Sequence, residues 1–308
     1  MRDTYIYDHV RTPRGRGRSD GSLHEVTAVE LAAQAIRAVR QRSEIPDTGV
    51  DEVILGTVST VGEQGATLHR IAPILAGLSD SVPGMQINRF CASGLEAVSL
   101  AAAKISAGMG ELMIAGGVES MSRTPMDSGA GGPHGVDPQV SFHTPFVMQG
   151  VSADLLATLN GYGRTELDAY GVESQRRAAH AWKEGHFGKS VVPITDVLGT
   201  VLLDRDEHIR ADASMQSVGA LKPAFKSIGD AIGYDKLALQ RYPEIDRIEH
   251  VHTAATSSGI VDGAGVILLG SREAGTKLGI KPRVRILSYV SVGSEPIVMV
   301  DGATPGWG

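Results

Sequence analysis

One cysteine, Cys91, is all the sulfhydryl chemistry that 308 residues contain. A lone cysteine can form neither an internal disulfide nor a cluster of thiolate metal ligands, and it fits a reducing compartment, so a cytoplasmic protein is expected. Long apolar runs are missing too. No stretch approaches the roughly 20 residues that cross a bilayer. Arg2, Asp3 and Asp8 interrupt the opening alternation where a secretory leader needs an unbroken apolar segment. No membrane span is expected. The chain also has no basic excess. A net charge of −6 excludes a general nucleic-acid binder, whose phosphate partner needs a basic face, while leaving room for a local basic mouth around a phosphorylated ligand. No Gly-x-Gly-x-x-Gly or Walker pattern follows a strand, so no dinucleotide or ATP site is expected. No internal repeat is visible.

What is present is an ordinary globular balance of 42% hydrophobic and 21% charged residues, at a length that predicts two domains or one large one. Thr4–Val10 alternates as a strand and stops at Arg11-Thr12-Pro13. Thr27-Ala28-Val29-Glu30 has capping-box form and opens a helix to about Arg42, with Ala32, Ala35, Ile36 and Val39 on one face. Val53–Val58 and Val82–Phe90 read as strands. Ala92–Ala107 reads as a helix with Leu95, Val98, Ala102 and Ile105 in a buried stripe. Leu112–Ala115 is a short strand broken by Gly116-Gly117. This alternation predicts an α/β fold with a largely parallel, helix-covered sheet. Residues 127–135 read as a flexible loop, and a helix is expected from a cap at Thr165. β character returns at Gly265–Leu269 and Arg283–Val292. The expected organisation is an α/β domain of residues 1–120 plus 249–271, an inserted helical loop domain over 121–248, and a short further unit over 282–308.

The segment Asn88-Arg89-Phe90-Cys91-Ala92-Ser93-Gly94-Leu95-Glu96-Ala97 is the most informative. A strand that runs straight into a helix points Cys91 out of the turn, beside N–H groups whose partial positive charge favours a thiolate. Those same groups suit an oxyanion on an acylated cysteine, and Ala92, Ser93 and Gly94 leave space for an acyl chain. The competing reading is a small buried hydrophobe, the common fate of a lone cysteine. Spacing alone leaves both open.

This segment is similar to the nucleophile motif of thiolases. Ala115-Gly116-Gly117-Val118-Glu119-Ser120-Met121-Ser122 resembles the family's glycine-rich turn, and Val10-Arg11-Thr12-Pro13 with Gly21-Ser22-Leu23 resembles its N-terminal signature. Leu221-Lys222-Pro223-Ala224-Phe225 and Ser257-Ser258-Gly259-Ile260-Val261-Asp262-Gly263-Ala264 match two further blocks in the expected order, so the resemblance reaches about Ala303. It implies a thiolase-like layered α/β fold with a helical loop-domain insertion. It also implies a ketoacyl-CoA thiolase or acetyl-CoA acetyltransferase in which Cys91 carries the acyl group and coenzyme A is a co-substrate. By position, Arg210 resembles a residue near the adenine end of coenzyme A, and Leu221 and Ser258 resemble pantetheine contacts. A homodimer paired across residues 82–90 is implied, with acyl-CoA and coenzyme A as ligands.

Departures from the family pattern carry expectations of their own. Met148-Gln149 stands where short-chain biosynthetic members have His-Met, which favours a degradative, longer-chain type, and resembles subunits that associate with a hydratase–dehydrogenase partner. Thr256 stands where Asn is usual. The sequence ends at Thr304-Pro305-Gly306-Trp307-Gly308, with no Gly-His-Pro and no second cysteine, so a second thiolase-fold domain is expected to be largely missing. On this reading the chain is a truncated product, and a catalytically impaired coenzyme A-binding or assembly protein is the alternative function. Arg11, Arg14, Arg16 and Arg18 read as a solvated basic loop. His250-x-His252 on an expected strand puts both imidazoles on one face with no acidic or cysteine partner expected nearby, and no metal site is expected.

Overall fold

Strand β1 (Tyr5–Arg11) begins a sheet whose other early strands are β2 (Gly15–Arg16), β3 (Glu52–Gly56), β4 (Gly84–Ile87) and β5 (Leu112–Ser120). Between them lie helices α1 (Ala28–Arg42), α2 (Leu68–Leu75) and α3 (Ser93–Ser106). The computed structural model describes residues 2–129 and 131–302. It divides into two units, Met1–Gly129 with His186–His208 and Ile260–Tyr289, and a second assembled from the intervening segments and the residues from Val290 on. Among the described residues no helix is long and apolar enough to cross a membrane.

The first unit is built by period-two alternation. Val53 and Leu55 of β3 and Leu112 and Ile114 of β5 face α1 and α2 in one core. Ile54, Met113 and Ala115 face Ala97, Val98, Ala101, Ala102 and Ile105 of α3 in another. Helix α1 forms as its pattern predicts. Thr27 is its N-cap, accepting from the Glu30 N–H at 3.2 Å, and Ala32, Ala35, Ile36 and Val39 are fully buried.

The same unit contains β6 (Ile194–Thr195), β7 (Val201–Leu203), β8 (Val261–Gly270), a helix at Arg272–Leu278 and β9 (Val284–Arg285). The main sheet runs β4-β3-β5-β8-β1-β9, with β2 also on β8. Only β4, β3 and β5 are parallel. Strand β8 lies antiparallel to β5 from Leu112↔Gly270 to Ser120↔Asp262, and antiparallel to β1 on its other side. The expected largely parallel sheet is therefore a mixed one. Strand–helix alternation describes only the β3-α2-β4-α3-β5 stretch, and the direction in which a distant strand re-enters leaves no local mark.

Several boundaries also move. β5 runs through Gly116-Gly117 rather than breaking there, because both glycines pair with β8 and β3. Strand pairing after Arg283 is limited to Val284–Arg285, since the register extends only over Tyr5 and Ile6. The basic loop is anchored at Arg11 and Arg14, while Arg14 and Arg18 stay exposed as expected. Arg11 grips Asp206 through two bonds of 2.7 and 3.0 Å, and Arg14 adds its N–H at 2.8 Å and a guanidinium contact at 3.3 Å. Burial would raise the Asp206 carboxyl, but these donors and charges outweigh it and hold it at about 2.

The second unit is helical, with α4 (Gly132–Val136), α5 (Pro138–His143), α6 (Gln149–Asn160), α7 (Arg164–Lys183), α8 (Met215–Gly219), α9 (Lys226–Ile232) and α10 (Tyr234–Arg241). Its core gathers Val147, Val151, Leu155, Ala238, Ile248, Ile297 and Val298. Helix α4 starts inside the stretch expected as loop. Helix α7 starts one residue before Thr165, after an extended Gly163 that carries no side-chain cap. The ending Gly306-Trp307-Gly308 lies outside the described residues.

Candidate active site

The three parallel strands put their carboxyl ends on one side of the sheet, where an α/β protein gathers its ligand-binding loops. β4 ends at Ile87, earlier than the sequence pattern suggests, and a turn of Asn88–Ala92 carries the chain into α3. The Asn88 and Ser93 side chains bond to the backbone of that turn and its neighbour. The Asn88 side chain accepts from the Phe90 N–H at 2.8 Å and donates to the Val58 carbonyl at 2.8 Å. Ser93 Oγ accepts from the Arg89 N–H at 2.7 Å and donates to the Phe90 carbonyl at 2.6 Å. Phe90 is forced to φ 47°, a left-handed conformation costly for a residue with a Cβ, while its ring remains 73% exposed. The turn is held by its neighbours, not by burial of that ring.

Cys91 sits at the top of this turn and is exposed. The reading of a small buried hydrophobe is therefore ruled out. The helix that follows begins after Ala92, a residue with no capping side chain, so the end of α3 beside Cys91 retains unsatisfied N–H groups. Two details of the sequence reading change. Ser93 is buried and wires the turn, so its side chain faces inward instead of bordering acyl space. Leu95 is 71% exposed and stands outside the buried stripe of α3, because Ser93 takes the inward position in the first turn. The roles of Asn88 and Ser93 were detectable in principle, since both residue types bond to nearby backbone and mark turns.

A set of glycines lets the start of α3 come this close. A Cβ on Gly56 would lie 2.3 Å from the Ser93 carbonyl carbon and 2.6 Å from the Gly94 nitrogen. A Cβ on Gly117 would lie 2.8 Å from the Gly56 carbonyl oxygen and 3.5 Å from the Gly94 Cα. Tight backbone passage behind Cys91 accounts for Gly117, and at Gly116 a Cβ would strike the β8 backbone at Gly265. Gly56→Ala is expected to destabilise the protein by about 1–3 kcal/mol and to displace the α3 start. Urea unfolding together with the rate of Cys91 alkylation by iodoacetamide checks this, and both unchanged would refute it.

Glu119, at the end of β5, braces the neighbouring loop. Its carboxylate accepts from the N–H groups of Val58 and Ser59 at 2.8 and 3.1 Å and from Gln64 at 2.7 Å. The loops after β3 and β5 are thereby locked together behind the cysteine turn.

Arg210, Leu221 and Ser258 all belong to the second unit, and all three are exposed. Arg210 donates its backbone N–H to Gln175 at 2.7 Å. The Ala224 N–H donates to the His252 carbonyl at 2.9 Å, which ties the Leu221–Phe225 block to the turn leading into Ser257–Ser258, and Ser257 Oγ donates back to the Thr253 carbonyl at 2.7 Å. Thr256 closes that turn. Its hydroxyl accepts from the Thr253 N–H at 3.0 Å and lies 3.1 Å from His252 Nδ1. His250, expected to lack acidic partners, has two. Nδ1 lies 2.7 Å from Asp154 Oδ2 and Nε2 2.8 Å from Asp235 Oδ2, with the imidazole almost wholly buried. The second Asp154 oxygen accepts from the Val251 and His252 N–H groups at 3.0 and 2.9 Å. Sequence distance concealed this arrangement. Among the described residues no group of three or more His, Cys, Asp or Glu is placed to hold a metal ion.

With this geometry in view, the family model described as the thiolase N-terminal domain matches residues 4–232. The chain belongs to the thiolase family. It is 36% identical to a 3-ketoacyl-CoA thiolase of Acinetobacter baumannii, an alignment covering 99% of this chain and 73% of that protein. It is also 36% identical to a beta-ketoadipyl-CoA thiolase of Pseudomonas aeruginosa, over 99% of this chain and 75% of that one. The crystal structure of the Bacillus anthracis acetyl-CoA acetyltransferase superposes with a TM-score of 0.82 at 31% identity, covering 100% of this chain and 75% of that chain. The layered α/β thiolase fold is thus established. Family membership sets the class of chemistry, acyl transfer with coenzyme A, and leaves the acyl group open.

Proposed function

We propose that this thiolase-family chain moves acyl groups between a 3-ketoacyl-CoA and coenzyme A through a thioester on Cys91, in the degradative direction that releases acetyl-CoA. The observation that carries this reading is the exposed Cys91 thiol on a strained turn at the uncapped start of α3. Cys91 Sγ attacks the keto carbonyl. The bond to the α-carbon breaks, the carbanion takes up a proton and leaves as acetyl-CoA, and the shortened acyl group stays on sulfur. The thiol of coenzyme A then attacks that thioester, loses its proton and expels Cys91, which gives ping-pong kinetics. N–H groups at the α3 start suit the negative oxygen that forms in each attack. Arg210, Leu221 and Ser258 are the residues assigned to coenzyme A, on their match to the family's positions.

Intact mass measurement after incubation with a 3-ketoacyl-CoA tests the assignment. An acyl adduct that disappears in Cys91→Ala is expected. Coenzyme A binding without any adduct would overturn the transferase reading in favour of a coenzyme A-binding or assembly protein.

A homodimer paired through β4 goes with this reading. β4 is an edge strand of the main sheet and its four residues are only half-buried. Ile71, Ile74 and Leu75 of α2 are also exposed. Unpaired edges flanked by apolar side chains invite a second strand. Light scattering should give twice the chain mass, and a monomer at micromolar concentration would contradict it.

A further inference from the structure

We propose that Arg164 is a positioning residue for coenzyme A, holding the turn that presents Leu221 to the pantetheine arm. This rests on the assignment of Leu221 to coenzyme A made above. Arg164 stands in the first turn of α7. Its Nε donates to Asp168 Oδ2 at 2.7 Å, one helical turn along, and the Asp168 side chain is almost completely buried. With that anchor in place, Nη2 reaches the chain beyond α8, donating to the Val218 carbonyl at 3.0 Å and the Leu221 carbonyl at 2.8 Å, with Gly219 at 3.5 Å. Val218 and Gly219 end the five-residue α8 and Leu221 follows two residues on; the Leu221 N–H bonds back to the Val218 carbonyl at 3.0 Å, so the guanidinium closes over a turn already folded on itself.

The far end of the same segment is fixed differently. The Ala224 N–H is bonded to the His252 carbonyl, and the Phe225 ring lies where a Cβ on Gly150 would be, 2.2 Å from its nearest atom. Leu221, Lys222 and Pro223 are exposed between the two anchors. A strip of exposed residues pinned at both ends loses little conformational entropy when a ligand lies along it, so its preorganisation appears as affinity. The planar guanidinium faces a carboxylate through Nε and two carbonyls through Nη2 at once. A lysine ammonium on the same helix has three donors, but all on one atom, so it lacks the separated Nε and Nη2 that reach Asp168 and the carbonyls from two places.

Calorimetric titration of the full chain with coenzyme A, and separately with 3′,5′-ADP, tests this. In Arg164→Ala the dissociation constant for coenzyme A should rise about tenfold or more. That for 3′,5′-ADP, which lacks the pantetheine arm, should remain within about twofold. If Arg164→Ala does not fold, Arg164→Lys is read on the same two ligands, with the same split expected. Unchanged coenzyme A affinity overturns the proposal. An equal loss for both ligands also overturns it, because that marks general structural damage. A wild-type protein that binds no coenzyme A sinks the underlying assignment of Leu221, and this proposal with it, before any variant is compared.

Discussion

Cys91→Ser is expected to lower acyl transfer by roughly 10⁴-fold or more while leaving the fold intact. The exchange swaps sulfur for oxygen on an exposed side chain, and exposed substitutions away from packed features shift stability by only about ±0.5 kcal/mol. The turn does not depend on the sulfur, because Asn88 and Ser93 make its side-chain hydrogen bonds. Chemistry, by contrast, depends on it twice. A hydroxyl is a far weaker nucleophile than a thiol near neutral pH, and an oxygen ester is a poorer acyl donor to coenzyme A than a thioester. Initial rates of acetyl-CoA release from a 3-ketoacyl-CoA, with far-UV circular dichroism as the folding control, decide the matter. Activity within tenfold of wild type would remove Cys91 from the mechanism.

The second large effect concerns stability. His250→Ala is expected to cost about 3–5 kcal/mol, the range for removing one partner from a buried charged pair. That is a large share of the roughly 5–15 kcal/mol that a domain has in total. The substitution leaves Asp154 and Asp235 facing a hole in the second unit, and Asp235 Oδ1 is already buried without a hydrogen bond. It also loosens the Asp154 oxygen that holds the Val251 and His252 backbone. Burial opposes the charged imidazole, but the hydrogen bonds and charges of Asp235 and Asp154 prevail and raise its pKa. A raised pKa in the folded protein means that the stabilisation is complete below the unfolded value of about 6.5, and fades as pH climbs through the folded one. Wild-type protein should therefore unfold at lower urea at pH 8.5 than at pH 6, and His250→Gln should show a shallower slope. Equal slopes in the two proteins would exclude His250 as the source.

How much of this could be read beforehand follows from the range of each interaction. The Thr27 cap, the buried stripe of α1 and the strand at β1 are set within one or two turns of chain, and the residues there announce them. Cys91 at the junction of a strand end and a helix start was legible for the same reason. Leu95 was misplaced because helical spacing gives a stripe but not where the sheet beneath it ends. His250 was misread because its partners lie 96 and 15 residues away. The anchor of the arginine loop was not legible because Asp206 arrives from 195 residues beyond Arg11.

By itself the sequence determined the local elements, the single thiol and its place before a helix, and the ordered blocks of the thiolase family. Tertiary structure alone decided that β8 returns antiparallel between β5 and β1, that Gly56 and Gly117 admit the start of α3, and that two distant carboxylates close on His250. Local propensity acts through neighbours along the chain, whereas strand direction, close backbone approach and buried charge pairing depend on which distant segments pack together.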